Sequence, residues 1–172
     1  MKRRYYLLDT NILGPLAELK AGRNNSECKA VEKHWNTLPE GTRVFLCPIT
    51  VGEVESGVRV DYANSDKANL AKEILSAFPC LQIDANLARD YYADLRARLF
   101  NRYAPKGSDN RMKRKINEWR DPTLSTLLQV DENDLWIAAV AMAHNLILVT
   151  RDKMDAIKKV VGSDIAFENW LE

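Results

Sequence analysis

The stretch Tyr5-Tyr6-Leu7-Leu8-Asp9-Thr10-Asn11-Ile12-Leu13 begins with an apolar run, breaks at a carboxylate and two small polar residues, and then turns apolar again. A short apolar run of this kind reads as a buried, parallel strand. Asp9, Thr10 and Asn11 offer capping side chains for a helix running from Ile12 to Leu19. A strand that gives way to a helix through an acidic turn is half of a β-α-β unit, and the rest of the chain repeats the pattern.

Val44 to Ile49 reads as a second strand, with Pro48 marking an edge or an irregular exit, and Thr50 opens the helix that follows it. Cys80 to Ile83 reads as a short third strand after Pro79, and Asp84 starts a long helix with Leu87, Tyr91, Leu95 and Leu99 on one face. Asp134 to His144 is an alanine-rich apolar helix. Leu146 to Thr150 is the clearest strand of the chain, Lys153 to Val161 a helix closed by Gly162, and Ile165 to Phe167 a last strand. Strands alternating with helices imply an α/β fold with a parallel sheet. A length of 172 residues suits a single domain, 1–172, with a sizeable core.

Composition excludes more than it assigns. The formal net charge is +1, so no global field points to a polyanionic partner. Cys28, Cys47 and Cys80 are odd in number and form no C-x-x-C pair, as expected of reduced thiols in a cytoplasmic protein. Lys2-Arg3-Arg4 before an apolar run imitates a signal peptide, but Asp9 ends that run too early. No stretch nears the roughly 18 apolar residues of a membrane span. No glycine pattern of a nucleotide-binding loop is present, and His34 and His144 read as structural.

Four acids stand where apolar runs meet helices: Asp9, Glu53, Asp134 and Asp152. Each has an ordinary explanation. Asp9 and Asp152 can cap helices, Thr50-x-x-Glu53 matches a capping box, and Asp134 lies in a first turn where the helix dipole favours an anion. Together they have another. In an open parallel sheet ligands bind beyond the carboxyl ends of the strands, and carboxylates gathered there repel one another unless a cation joins them. A hard divalent ion such as Mg2+ takes such oxygen donors and can orient a phosphodiester and activate water. Thr10, Asn11 and Thr150 sit at the same strand ends, suited either to hold the acids or contact phosphate, or to serve the turns.

Leu7-Leu8-Asp9-Thr10-Asn11-Ile12-Leu13, Ile49-Thr50-Val51-Gly52-Glu53-Val54 with Gly57, Asn133-Asp134-Leu135-Trp136-Ile137-Ala138-Ala139 and Leu148-Val149-Thr150-Arg151-Asp152 resemble the motifs of the PIN-domain ribonucleases, most closely VapC-type toxins of toxin–antitoxin pairs. The ending Phe167-Glu168-Asn169-Trp170-Leu171 resembles theirs too. The resemblance implies an α/β, three-layer fold with a central, mostly parallel sheet flanked by helices, and a Mg2+- or Mn2+-dependent endoribonuclease that leaves 5′-phosphate and 3′-hydroxyl ends. It also implies an RNA substrate, a cognate antitoxin and a homodimer. Asp9, Glu53 and Asp134 match the family's central metal-binding acids, Asp152 the fourth, and Thr150 the polar residue before it. Glu55 and Asp155 match nothing in the pattern.

The chain departs from that pattern in a basic insertion at about 102–130. From Arg102 to Asp121 seven basic residues face three acidic ones, a net of +4 in a chain of +1. Arg111, Lys113, Arg114 and Lys115 are candidates for RNA phosphates, and Trp119 and Tyr103 for stacking on unpaired bases. The alternative is a solvated charged segment with Trp119 packed on the core. Two rivals stand beside the nuclease: a phosphatase with an aspartyl nucleophile, disfavoured because Asn11 occupies the place of its second Asp, and a PIN fold that binds RNA or protein without cutting.

Overall fold

The structure, a computed structural model, describes residues 4–60, 65–105 and 115–172. Strand β1 (Tyr5–Leu8) leads into helix α1 (Thr10–Lys20), followed by α2 (Ser26–Asn36), β2 (Arg43–Phe45), α3 (Pro48–Val60) and α4 (Ser65–Ser76). A continuous helical rod then runs through α5 (Ala85–Leu87), a π-helical turn at Ala88–Tyr92 and α6 (Ala93–Tyr103). After a 3-10 turn at Ile116–Glu118 come α7 (Glu132–Ala143), β3 (Ile147–Val149), α8 (Asp155–Val161) and β4 (Ala166–Glu168).

The four strands form one parallel sheet in the order β2-β1-β3-β4. From β1 the chain moves outward to β2, and it returns to the other side of β1 for β3 and β4. The order therefore reverses between β1 and β3, where the carboxyl ends of two adjacent strands diverge into a crevice. Leu8 pairs with Val149. The ladder continues one residue on, where the Asp9 N–H donates to the Val149 carbonyl at 2.9 Å.

Alternation along β1 explains why both faces of the sheet are covered. Leu7 packs with Leu148, α6, α7 and α8 on one face, while Tyr6 and Leu8 pack with Val149, α1, α2 and Trp170 on the other. Trp170 meets Tyr6 edge-on at 5.2 Å, and its indole N–H donates to Glu168 at 3.0 Å. The apolar terminal motif is thus a plug for the second core. His34 stacks beside Trp170 at 6.4 Å, a packing role.

Three expectations change. Cys80 to Ile83 is no strand: only Cys80 bridges, to Leu46. Helix α3 begins at Pro48, whose missing N–H suits a first turn, so Thr50 lies inside the helix. Trp119 and Tyr103 are buried, at 1% and 5% exposure, and are not free to stack on bases. Trp119 packs edge-on against Phe100 at 5.9 Å. Arg111, Lys113 and Arg114 lie outside the described residues, and Lys115 pairs with Glu118 at 2.6 Å. None of the helices among the described residues is long and apolar enough to cross a membrane.

Because Trp119 belongs to the main core, Trp119→Ala should destabilise the protein by roughly 3–5 kcal/mol in denaturant unfolding. A loss below about 1 kcal/mol would place the indole on a surface instead.

Candidate active site at the carboxyl edge of the sheet

Asp9 ends β1 and caps α1. Its extended backbone turns the carboxylate back over the helix start, where Oδ1 accepts from the Thr10 N–H at 2.6 Å. The other oxygen, Oδ2, accepts from the Thr150 hydroxyl at 2.6 Å and from the Asn11 amide at 3.0 Å. The carboxylate is buried at 5% exposure, and three neutral donors hold it.

Asn11 ties the two central strand ends together. Besides Asp9, its amide nitrogen reaches Asp152 Oδ2 at 2.9 Å and Thr150 Oγ1 at 3.2 Å, while its oxygen accepts the Arg151 N–H at 3.0 Å. Thr150 adds a further link, since its Oγ1 accepts the Asp152 N–H at 3.0 Å. Thr150 is buried, whereas Asp152 is exposed.

Glu53 enters from α3. The expected capping box is not its role: one oxygen accepts from the Thr10 hydroxyl, and the other from the Asn133 amide at 2.6 Å. Thr50 instead turns its hydroxyl toward the Leu8 carbonyl at 3.4 Å and the Cys47 thiol at 3.5 Å. Asp134 stands in the first turn of α7 and completes a capping box with Asp131. Each side chain accepts the other's backbone N–H, at 3.0 Å into Asp131 and 2.9 Å into Asp134.

The acids feel one another. Burial raises the Asp134 pKa to about 7 against the Asp131 N–H, with the charges of Asp131, Asp9 and Asp152 adding to the rise. Burial also raises Asp9, opposed by its Thr150 and Thr10 donors and assisted by the charges of Asp152 and Glu53. Carboxylates from β1, α3, α7 and the loop after β3 therefore share one electrostatic environment. Asn133 was not singled out from the sequence, although it directly precedes Asp134. Glu55 pairs with Arg59 at 3.6 Å, away from this group.

The donors suit a hard divalent cation in kind: carboxylate oxygens backed by hydroxyl and amide groups. Their spacing does not form a finished cage. Among the described residues no group of three or more Asp, Glu, His or Cys is arranged to hold an ion as it stands. Mg2+ is commonly held by one or two carboxylates with several waters, so the residues fit such an ion with water completing its shell.

Comparison with known proteins shows what the chain resembles as a whole. A family model described as PIN domain matches residues 6–161. VapBC2 from Rickettsia felis, solved bound to a promoter DNA fragment, superposes with a TM-score of 0.65 at 21% identity, covering 96% of this chain and 98% of that one. VapBC-1 from nontypeable Haemophilus influenzae gives 0.62 at 18%, covering 98% and 99%. A toxin–antitoxin complex from Klebsiella pneumoniae gives 0.54 at 19%, covering 96% and 97%. At these identities the likeness is one of fold. No curated protein matches by sequence.

The raised Asp134 pKa has a consequence for stability. The folded state keeps this proton longer than the unfolded chain does, so the contribution is full below 3.8 and is lost as pH rises through about 7. Melting temperature of the metal-free protein should thus carry a downward component across that window. Asp134→Asn, which keeps the acceptor for the Asp131 N–H, should flatten it. Equal slopes in the two proteins between pH 4 and 8 would assign the drop to another group.

Proposed function

This chain belongs to the PIN-domain family, and from that premise we propose that it is a metal-dependent endoribonuclease and the toxin of a toxin–antitoxin pair. The observation that carries the reading is the meeting of Asp9, Glu53, Asp134 and Asp152 at the switch point of a parallel sheet, with two of their pKa values raised partly by the others' charge. Groups that disfavour each other's ionisation at neutral pH favour a cation that relieves them.

The residues divide the work by position. Asp9 and Asp134, the two with raised pKa, would hold Mg2+ or Mn2+, with Glu53 and Asp152 at the edges of the same group. A divalent ion there would polarise the phosphodiester and lower the pKa of a bound water. Thr10, Asn11, Asn133 and Thr150 orient the carboxylates through the hydrogen bonds above and keep them apart. RNA is the substrate in this reading, and the basic residues Arg111, Lys113, Arg114 and Lys115 are candidate contacts for its phosphates. Solved relatives of this fold are VapBC and toxin–antitoxin complexes, which supports an antitoxin as partner. A homodimer and a cytoplasmic setting go with that reading.

A second reading has its own observation. Neutral donors occupy the carboxylate oxygens, and no preformed three-ligand group exists among the described residues, as in a PIN fold that binds without cutting. Calorimetry with Mn2+ near neutral pH separates the two, since absence of binding favours the second.

Purified Asp9→Asn protein should retain the parent's fold by circular dichroism. Its RNA cleavage should fall by more than the roughly 10–100-fold that loss of a supporting group costs. Cleavage at the parent's rate would remove Asp9 from the site. Asn11→Ala should lose about 10–100-fold in Mn2+ affinity or rate, and an unchanged affinity and rate would make Asn11 a simple turn residue. End-mapping of cellular RNA after induction of parent and Asp9→Asn identifies the target.

A further inference from the structure

We propose that the cleft beside Asp152 is a nucleotide subsite for an unpaired RNA base flanking the bond to be cut, with Leu124 and Leu127 against the base, Gln129 at its edge and Lys153 at its phosphate. The inference rests on the nuclease reading and adds to it a part of the substrate and the residues that select it.

The cleft encloses about 530 Å3 between the loop 121–129 and residues 151–156, a size within the roughly 300–1,000 Å3 of small-ligand sites. Asp152 lines it, so an occupant lies directly against the carboxylate group. The loop is a fixed wall. Asp121 Oδ1 accepts the Thr123 and Leu124 N–H groups at 2.8 and 3.2 Å, and its other oxygen holds Lys159 at 3.2 Å. The Leu128 N–H reaches the carbonyl of buried Trp119 at 3.0 Å, and Arg120 bridges to Leu127 across the turn.

On that anchored wall Leu124 is 65% exposed and Leu127 47% exposed. Apolar side chains held in the open by a pinned backbone, rimmed by polar groups, mark a contact surface. Gln129 adopts a left-handed backbone with φ 53, a costly conformation for a residue with a Cβ, and lines the same cleft. Its exposed amide makes no hydrogen bond among the described residues and offers both a donor and an acceptor. Charge sorts the cations. Lys159 is engaged by Asp121 and Arg151 by Glu27 at 3.2 Å, while Lys153 is exposed and has no ion pair among the described residues. Apolar contact, one amide and, among the described residues lining the cleft, a lysine without an ion pair match a nucleotide's base face, base edge and phosphate.

The test uses the full-length parent, a Leu124→Ala/Leu127→Ala double variant, Gln129→Ala and Lys153→Gln, with Asp9→Asn as the control. Substrates are single-stranded oligoribonucleotides that vary one position at a time around the cleaved bond. With melting temperatures matching the parent's, the double variant should raise KM about tenfold for the preferred base while kcat stays within about twofold. Gln129→Ala should flatten base preference at one position. Lys153→Gln should reduce the salt slope by about the share of one phosphate. If the parent cuts RNA in an Asp9-dependent way and all variants keep its KM and base preference, the subsite fails and the nuclease reading stands. If the parent's cleavage does not depend on Asp9, both fail. If the variants cut normally but lose a purified protein partner, the cleft belongs to that partner and the subsite fails.

Discussion

The structure depends on the burial of Asp9 at the point where β1 and β3 part. A carboxylate at 5% exposure is tolerable only if its oxygens are satisfied, and the three groups that satisfy it come from two separate strand ends. Thr10 and Asn11 follow β1, while Thr150 follows β3, 141 residues away in sequence. The Leu8–Val149 register sets Thr150 opposite Asp9. Side chains alternate along a strand, so a slip of one residue would send Thr150 to the other side and leave the carboxylate short of a donor. The same slip would move Leu148 and Val149 into the wrong cores. Core packing and site geometry therefore enforce one register.

Much of this was legible in the residues because it is local. Tyr5 to Leu8 is a strand in the structure as in the sequence, since the apolar run and the Asp9 break act within a few residues. Asp84 starts its helix for the same reason, its side chain accepting the Leu87 N–H at 2.8 Å. The failures are tertiary. Cys80 to Ile83 has strand composition, but only Leu46 is available to pair with it, so a single bridge forms. Thr50-x-x-Glu53 has the letters of a capping box, but Pro48 starts the helix early and the two side chains leave for Leu8, Thr10 and Asn133. Asn133 could not be assigned because its partner Glu53 lies 80 residues away. No local pattern encodes that bond.

The insertion shows the same limit from another side. Read as a line of residues, Trp119 and Tyr103 stand among positive charges and invite stacking on bases. In space both are buried, and the 3-10 turn at Ile116–Glu118 brings Ile116 and Trp119 into the main core. Their burial fixes the base of the 121–129 loop. The aromatic anchors thus contribute rigidity, while Leu124, Leu127 and Gln129, which composition did not single out, are among the exposed residues of the loop. Charge density pointed to a region, and among its described residues burial withdraws Tyr103 and Trp119 from contact with a ligand.

Asn11 explains why neutral groups matter as much as acids here. Its amide donates to Asp9 and Asp152 while its oxygen accepts the Arg151 N–H. Only an amide provides donors and an acceptor together without adding charge. An aspartate at that position, as a phosphatase of the aspartyl-nucleophile kind would carry, could not donate to either carboxylate when ionised. It would instead bring a further negative charge to a group where Asp9 and Asp134 already resist ionisation. The choice of Asn over Asp therefore spaces the acids while leaving their oxygens exchangeable. On the proposed reading, a cation need only displace hydrogen bonds from neutral donors, not break an ion pair. Its competitor at Asp134 is a proton, because burial raises that carboxyl from its ordinary value to about 7.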